Sequence, residues 1–459
     1  MSHTHLRRLS RHLSTLFCLL LLLSACGQLP GNRPSTTPTP AAIATAPTLT
    51  TSTSKNSPSC TQSAFVSPLP ASTHATLVYV TQQGDSSLLQ RYDVTTGSRQ
   101  TLLKTPAGET IQKANISPDG RWIVFLSLFH GQTAVQVVGA NGQQFQTLYC
   151  TQDTIDDALL SPDSHTLVFN REIQEEISIL YLLDMKTGKL RILLSPLQPN
   201  YPDSAQATMQ NTFISEHAPS PINRSTTGSH TFQLLNPLPS RHSLIYIPMK
   251  WATNSSLYVY GTVRASGAPV HQLALLLDTR KDVTQQGSNL QAITTSGRNF
   301  TCQDDAVTPD NKQVVCSAAL LTGAVNLPTV IQMWPITGGT QHVVYQGLSR
   351  QSILVRVASN STLLFLSIQA NGIAALWRIK TDGRALTRQM AAPISGTNLE
   401  FASSSYLPWS ISSRDGLYYA LIMYDMTSNT SSLIVGELAG NQSKTIATSS
   451  NPLQIAGWA

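Results

Sequence analysis

The sequence predicts an all-β chain, and three observations carry that prediction. A tight-turn motif, Ser117-Pro118-Asp119-Gly120, runs directly into an apolar stretch, Trp122–Leu126, and weakened copies of the pair return down the chain. Hairpin-type dipeptides recur out of phase with it: Thr96-Gly97, Asn141-Gly142, Thr187-Gly188, Gly338-Gly339, Asp382-Gly383 and Gly440-Asn441. The copies fall roughly 40–50 residues apart, the length of four short strands with their turns. A turn followed by a strand is common in any β protein, so it is the repetition that is informative.

Taken in chain order, residues 1–25 read as an export signal. Arg7, Arg8 and Arg11 precede the apolar run Leu13–Leu23, which is short for a membrane span, and small residues follow. Leu23-Ser24-Ala25-Cys26-Gly27 also resembles the bacterial lipobox, which implies diacylglycerol on Cys26 and cleavage before it. An ordinary signal peptide with an unrelated cysteine is the alternative. The arginine pair lacks the rest of a twin-Arg motif, so general secretion is expected. Gly27 is not the Asp associated with inner-membrane retention, which leaves an outer-membrane address open for a diderm source.

Residues 26–60 are Thr, Ser, Pro and Ala with hardly a charge. They show no periodicity and too few large apolar residues to bury, so a disordered, lipid-anchored tether is expected. At about 3 Å per residue its reach is on the order of 100 Å. Such a tether would hold the remaining domain, residues 61–459, off the membrane surface.

That domain is read blade by blade. Ser or Asp starts a type I turn, Pro presets φ at the second position, and Gly tolerates the fourth. The following strand is rich in β-branched and aromatic residues. Further copies begin at Ser161-Pro162-Asp163 and Thr308-Pro309-Asp310, with looser ones at Trp251–Asn254, Val357–Asn360 and Arg414-Asp415-Gly416. The expected blades are Gln112–Cys150, Ile155–Leu194, Ser243–Thr295, Thr301–Tyr345, Ile353–Met390 and Leu407–Thr448. The first unit, Thr76–Leu103, lacks the strand that should precede its turn. Leu453–Trp458 supplies one, since Trp458-Ala459 matches Trp251-Ala252 and Trp409-Ser410. Seven blades closed by the C-terminal strand follow, and closure removes exposed sheet edges.

These residues resemble the TolB-type, WD-like propeller repeats of bacterial proteins, whose hallmark is a Trp-Ser-Pro-Asp-Gly-like turn. The resemblance spans about Ser72 to Ala459 and implies a β-propeller. It implies no functional residue, because the motif is a folding signal.

One interval breaks the spacing. Asp163 to Asn254 is 91 residues, against 44 from Asp119 to Asp163. The excess, residues 196–242, is rich in Pro, Ser, Asn and Thr. It reads as a long loop that binds a partner or covers the channel, with a degenerate eighth blade as the alternative.

The six cysteines sort by position. Cys18 leaves with the signal and Cys26 carries the lipid. Cys60, Cys150, Cys302 and Cys316 remain for disulfides outside the cell. Cys302 and Cys316 flank the Thr308–Asn311 turn almost symmetrically, so they are expected to face each other, leaving Cys60 with Cys150. Free buried thiols are the alternative.

Only 12% of residues are charged, and the net charge of +6 includes the three leader arginines. No Lys/Arg cluster with interleaved aromatics is present, which argues against nucleic acid as a partner. No nucleophile elbow, zinc-protease helix, Cys-x-x-Cys or phosphate-binding loop occurs, so no catalytic, metal or cofactor residue is assigned. Asp156-Asp157 and Asp304-Asp305 are expected to line the rim; calcium binding or acid–base work is the sharper alternative. Asp119, Asp163, Asp310 and Asp415 are read as turn formers. His217, His230 and His242 are read as solvated loop residues. Trp251, Trp409 and Trp458 are expected to pack between blades, as are Trp334 and Trp377 on third strands.

Two functions are expected in competition. One is a lipid-anchored binding or scaffolding module that presents its rim and residues 196–242 to a protein or glycan. The other is a hydrolase or lyase acting on extracellular peptide or polysaccharide through residues scattered over several blades. A peptidase resembling prolyl oligopeptidase is not expected, because the sequence carries no α/β catalytic domain. Converging carboxylates or histidines at the channel mouth would favour the enzyme, and a mixed polar rim the binding module.

Overall fold

The computed structural model describes residues 74–195 apart from 175 and 176. It also describes 244–459 apart from 264–270, 282–289, 293–299, 321–327, 338–339, 350–351, 369–373, 392–396 and 401–410. The leader, the tether, the long loop at 196–242 and its histidines, and Trp409 therefore lie outside the described residues.

Strands β1–β3 are Thr76–Gln83, Ser86–Asp93 and Arg99–Lys104. Strands β4–β7 are Glu109–Ile116, Trp122–Phe129, Gln132–Gly139 and Gln146–Thr151. Next come β8–β11, at Ala158–Leu160, Thr166–Gln174, Ile177–Asp184 and Leu190–Leu194. Strands β12–β15 are Leu244–Thr253, Ser256–Val263, His271–Asp278 and Leu290–Ala292. Strands β16–β19 are Phe300–Val307, Gln313–Leu320, Pro328–Pro335 and His342–Ser349. Strands β20–β23 are Ser352–Ser359, Thr362–Ile368, Ala374–Lys380 and Thr387–Ala391. The last are β24–β27, at Thr397–Glu400, Tyr418–Asp425, Thr430–Glu437 and Ser443–Ser449, and β28 at Gln454–Trp458.

They form seven four-stranded antiparallel sheets among the described residues. In six blades the strands follow chain order. In the first the order is β28-β1-β2-β3, with Leu77 opposite Trp458 and Val80 opposite Gln454. The C-terminal strand thus completes the first blade, as the repeat phase predicts. The seventh blade corrects the expected start at Leu407. Its first strand is β24, where Asn398 pairs with Tyr424, and Ser412 makes a further bridge to Tyr419. The apolar residues before Trp409 mimic a strand onset, while the paired strand begins ten residues earlier.

Burial explains which strand sits where. β5 is buried through six consecutive residues, Trp122–Ser127, because both of its faces meet neighbouring sheets. The outer β27 is mostly exposed and turns in little beyond Ile446. Apolar clusters bridge every junction of the ring. Trp122 and Leu126 meet Leu167 and Phe169, Val168 and Leu182 meet Trp251 and Leu257, and Leu366 and Leu376 meet Leu421 and Ile434. Ile247 and Tyr260 share a cluster with Val315 and Phe365, while Leu77 meets Ile422 and Val80 meets Ile123. Each fully buried Leu, Ile or Phe contributes roughly 1.5–3 kcal/mol, so the ring is held by its junctions as much as by its ladders.

The turn aspartates are local braces. Ser117 Oγ and Arg121 N both donate to Asp119 Oδ1, and Trp122 N donates to Ser117 Oγ at 2.9 Å. The same arrangement recurs on Ser161/Asp163, Thr308/Asp310 and Ser413/Asp415. Gly120 closes its turn at φ +73°, whereas Ser164 and Asn311 hold that left-handed position at φ 58°. Their side chains bond the preceding blade: Ser164 Oγ to Asp119 Oδ2 at 3.2 Å and Asn311 Nδ2 to Ala252 O at 2.9 Å. Gly97, Gly142, Gly188 and Gly383 take the positive φ expected of the hairpins, and Gly440 does not.

Candidate functional site

The first strands β28, β4, β8, β12, β16 and β20, or the turns that follow them, and the turn Ser412–Gly416 of the seventh blade come together around one opening. There the described residues line a cavity of about 630 Å³ to which all seven blades contribute. That size is in the range of small-ligand sites. Asn115, Asp157, Lys250, Asn311, Asn360, Arg414 and Asp415 supply its polar chemistry; Ile116, Leu159, Met249 and the two tryptophans Trp251 and Trp458 supply apolar wall.

The tryptophans are structural. Trp251 Nε1 donates to Leu159 O at 3.3 Å and Trp458 Nε1 to Ile411 O at 2.9 Å, each reaching the preceding blade. Both are buried, at 4% and 7% exposure, so neither offers a free ring face. They pack between blades as expected and stitch them as well. Other blade-to-blade bonds run from Ser412 Oγ to Ala358 O, from Asp310 N to Asn360 Oδ1 and from Gln454 Nε2 to Gln112 O. The described rim is therefore laced by hydrogen bonds from blade to blade. Trp334 and Trp377 lie on the third strands β18 and β22, in or against the core.

The paired acids divide between rim and junction. Asp157 lines the mouth, where Lys113 Nζ lies 2.6 Å from Oδ2 and Asn115 Nδ2 lies 2.6 Å from Oδ1. Burial pushes its carboxyl above the ordinary value, against the opposing charge of Lys113. Asn170 fixes the pair from behind, with its Nδ2 2.6 Å from Asp156 Oδ2. Asp304 and Asp305 are not part of the mouth lining; they sit on β16 at the junctions with the neighbouring blades. Asp304 Oδ2 accepts from Val355 N at 2.8 Å and Arg356 Nη1 at 2.6 Å. Tyr260 donates its hydroxyl to Asp305 Oδ1. Burial raises Asp305 to about 7, opposed by the Arg356 charge. The structure does not bring the two acid pairs together, and no group of three or more His, Cys, Asp or Glu that could hold a metal occurs among the described residues. At the rim, Asp415 is engaged by Ser413 Oγ and Leu417 N.

Two cations at the mouth carry no such commitment. Lys250 Nζ reaches Thr308 O at 3.4 Å, and burial lowers its pKa to about 8, opposed by the charge of Asp310. Arg414 Nη1 donates to Asp119 O, strapping the seventh blade's turn to the second's. Lys250 belongs to no motif of its own in the sequence. Aligning the copies at the residue before the apolar lead-in shows it: Asn115, Leu159, Lys250, Ala306 and Arg356 share that column.

For the expected disulfides, Cys60 and the side chain of Cys302 lie outside the described residues. Cys302 and Cys316 lie on the paired strands β16 and β17. Cys302 is opposite Ala318 and Cys316 opposite Asp305, with a bulge between Cys302 and Asp304, so the two are diagonal rather than facing. No described helix is long and apolar enough to cross a membrane.

No family profile matches the chain, and no curated protein does. Many solved structures are similar. Prolyl oligopeptidase B from Galerina marginata is 11% identical, with 84% of this chain covered, 52% of that one, and a TM-score of 0.50. TolB from Acinetobacter baumannii is 13% identical, with 69% and 63% covered and a TM-score of 0.40. The β-propeller domain of the Trilobed protease from Pyrococcus furiosus is 8% identical, with 81% and 98% covered and a TM-score of 0.45. The chain thus spans about two thirds of that TolB and half of the oligopeptidase. At these identities the likeness shows a propeller fold alone.

Proposed function

We propose that the protein is a propeller-shaped binding or scaffolding module, exported and anchored by lipid on Cys26, that presents its rim and residues 196–242 to a protein or glycan partner at the cell envelope. The observation that carries this reading is the state of the mouth's acids. Asp157 on the third blade is ion-paired with Lys113, and Asp415 on the seventh has Oδ1 held by its own turn, so the two acids stand apart with different partners. A hydrolytic pair needs at least one carboxylate free to take or give a proton, with a second group converging on the same point. The mouth instead combines apolar wall, amides and two cations, the mixed lining of a recognition surface.

The test is a crosslinking pull-down from intact membranes, run with the whole protein and with one lacking residues 196–242. Specific partners recovered by the first and lost by the second are expected. Recovery of membrane background alone by both would sink the reading and make turnover of peptides and polysaccharides the next assay. Non-reducing mass mapping of the same material should show diacylglycerol on Cys26 and the linked pairs Cys302–Cys316 and Cys60–Cys150. An unmodified Cys26 would remove the anchor.

A further inference from the structure

The charged groups lining the channel mouth are two carboxylates, Asp157 and Asp415, and two cations, Lys250 and Arg414, and among the described residues they are not ion-paired with one another. Asp157 is paired with Lys113 and Asp415 Oδ1 is held by its own turn, while among the described residues neither Lys250 nor Arg414 has a carboxylate within ion-pair distance. The Lys250 ammonium carries three donors and meets one carbonyl, Thr308 O, at a long 3.4 Å. Asp310, on the adjacent turn, attracts it from a distance, and its own oxygen is held by Thr308 Oγ1 and Lys312 N. The neighbouring third blade contributes Asp157, already paired with Lys113, and the seventh contributes the exposed Arg414. A half-buried cation with so few partners is costly to hold unless something anionic completes it.

We propose that the channel mouth is a carboxylate-binding site in which Lys250 is the charged anchor and Arg414 the rim cation that draws the ligand in. This rests on the binding reading above and names the chemistry of the group bound. The cavity, open to solvent, admits a carboxylate with a short apolar or polar body, and Met249, Leu159 and Ile116 provide wall for it. Trp251 and Trp458 are buried with their N–H groups engaged, so sugar stacking on a free aromatic face is not part of the site. Arg414, exposed at the rim, raises the local concentration of anions before contact.

Burial has a consequence for the anchor. With its ammonium pulled down to about 8, Lys250 loses its proton in the empty site as pH rises through that value. A carboxylate favours the protonated form, so binding takes up a proton above pH 8, and affinity at pH 9 is expected to be about tenfold weaker than at pH 7.

The experiment is titration calorimetry on the whole protein with two probes, free triglutamate and glucuronic acid, at pH 7 and pH 9. Binding of at least one probe at pH 7 is expected, about tenfold weaker at pH 9. It should fall tenfold or more in Lys250→Met and stay unchanged in the surface control Lys189→Met. Triglutamate alone points to an acidic protein segment as the source of the carboxylate, and glucuronic acid alone to an acidic glycan. Should Lys250→Met fail to fold, the pH dependence of the unaltered protein decides. Binding of neither probe, or binding indifferent to pH and to Lys250, overturns the assignment. Partners recovered in the pull-down with neither carboxylate bound would leave the binding module standing and remove only this site.

Discussion

Asp305 shows how one buried group makes the fold sensitive to pH. Its carboxyl titrates at the ordinary value of 3.8 when unfolded and at about 7 when folded, burial being the main cause. Between those values the folded chain binds a proton that the unfolded chain has lost. Its contribution is therefore fully present below about pH 4 and is lost as pH rises through 7. We expect the melting temperature of the unaltered protein, measured against Asp305→Asn, to lose ground steadily from pH 4 to pH 7. A difference that stays flat over that range would show the group to be ionised in the fold. Lys250 runs the opposite way, since a depressed lysine adds stability as pH rises from 8 towards 10.5. Both residues were hard to read from sequence for the same reason. A strand pattern says which face a residue occupies, but not which charge on another blade, here Arg356 or Asp310, stands opposite.

Among the elements, β26 makes a demand that its sequence does not display. Gly436 is paired directly with Tyr419 on β25, and the buried Tyr419 ring lies where a Cβ on Gly436 would be, with ring atoms 2.2–2.6 Å away. The glycine is there for ring clearance, since its φ is not in the left-handed range. We expect Gly436→Ala to destabilise the protein by about 1–3 kcal/mol, because a fully packed ring cannot move aside. Denaturant melts should show it, and Gly436→Ala combined with Tyr419→Leu should recover part of the loss. An unchanged midpoint in the single variant would mean the ring has room. The turns, by contrast, were legible in detail. Ser or Thr two residues before Asp recurs in the sequence, and each such pair in the described turns makes the same brace. Local chemistry that closes within five residues can be read without the fold. β24 is not legible in the same way, because the Tyr424 that pairs with its Asn398 lies beyond Trp409 and the turn at Arg414, too far along the chain for pattern alone to assign the pairing.

For the whole molecule the decisive event is closure. β28 pairs with β1 across almost the full length of the domain, and Trp458 adds a bond to Ile411 O in the seventh blade. Trp458→Phe should keep most of the buried area and leave that carbonyl unpaired, costing about 1–3 kcal/mol. The loss should appear in hydrogen exchange first at β1 and β28, since a ring opens at its closing seam before its blades melt. Uniform loss of protection over all seven blades would argue that the seam is no weaker than the other junctions.

Repeat spacing, turn chemistry and the odd strand at the C-terminus were enough to set seven four-stranded blades and the way the ring is closed. That information is local or periodic, and it survives in a one-dimensional string. Which side chains meet at the mouth was decided only in three dimensions. Lys250, Asp157, Asn360 and Arg414 come from four blades and up to 257 residues apart. Their neighbourhood is created by the ring, and so is the half-buried, sparsely partnered ammonium of Lys250 that marks the site.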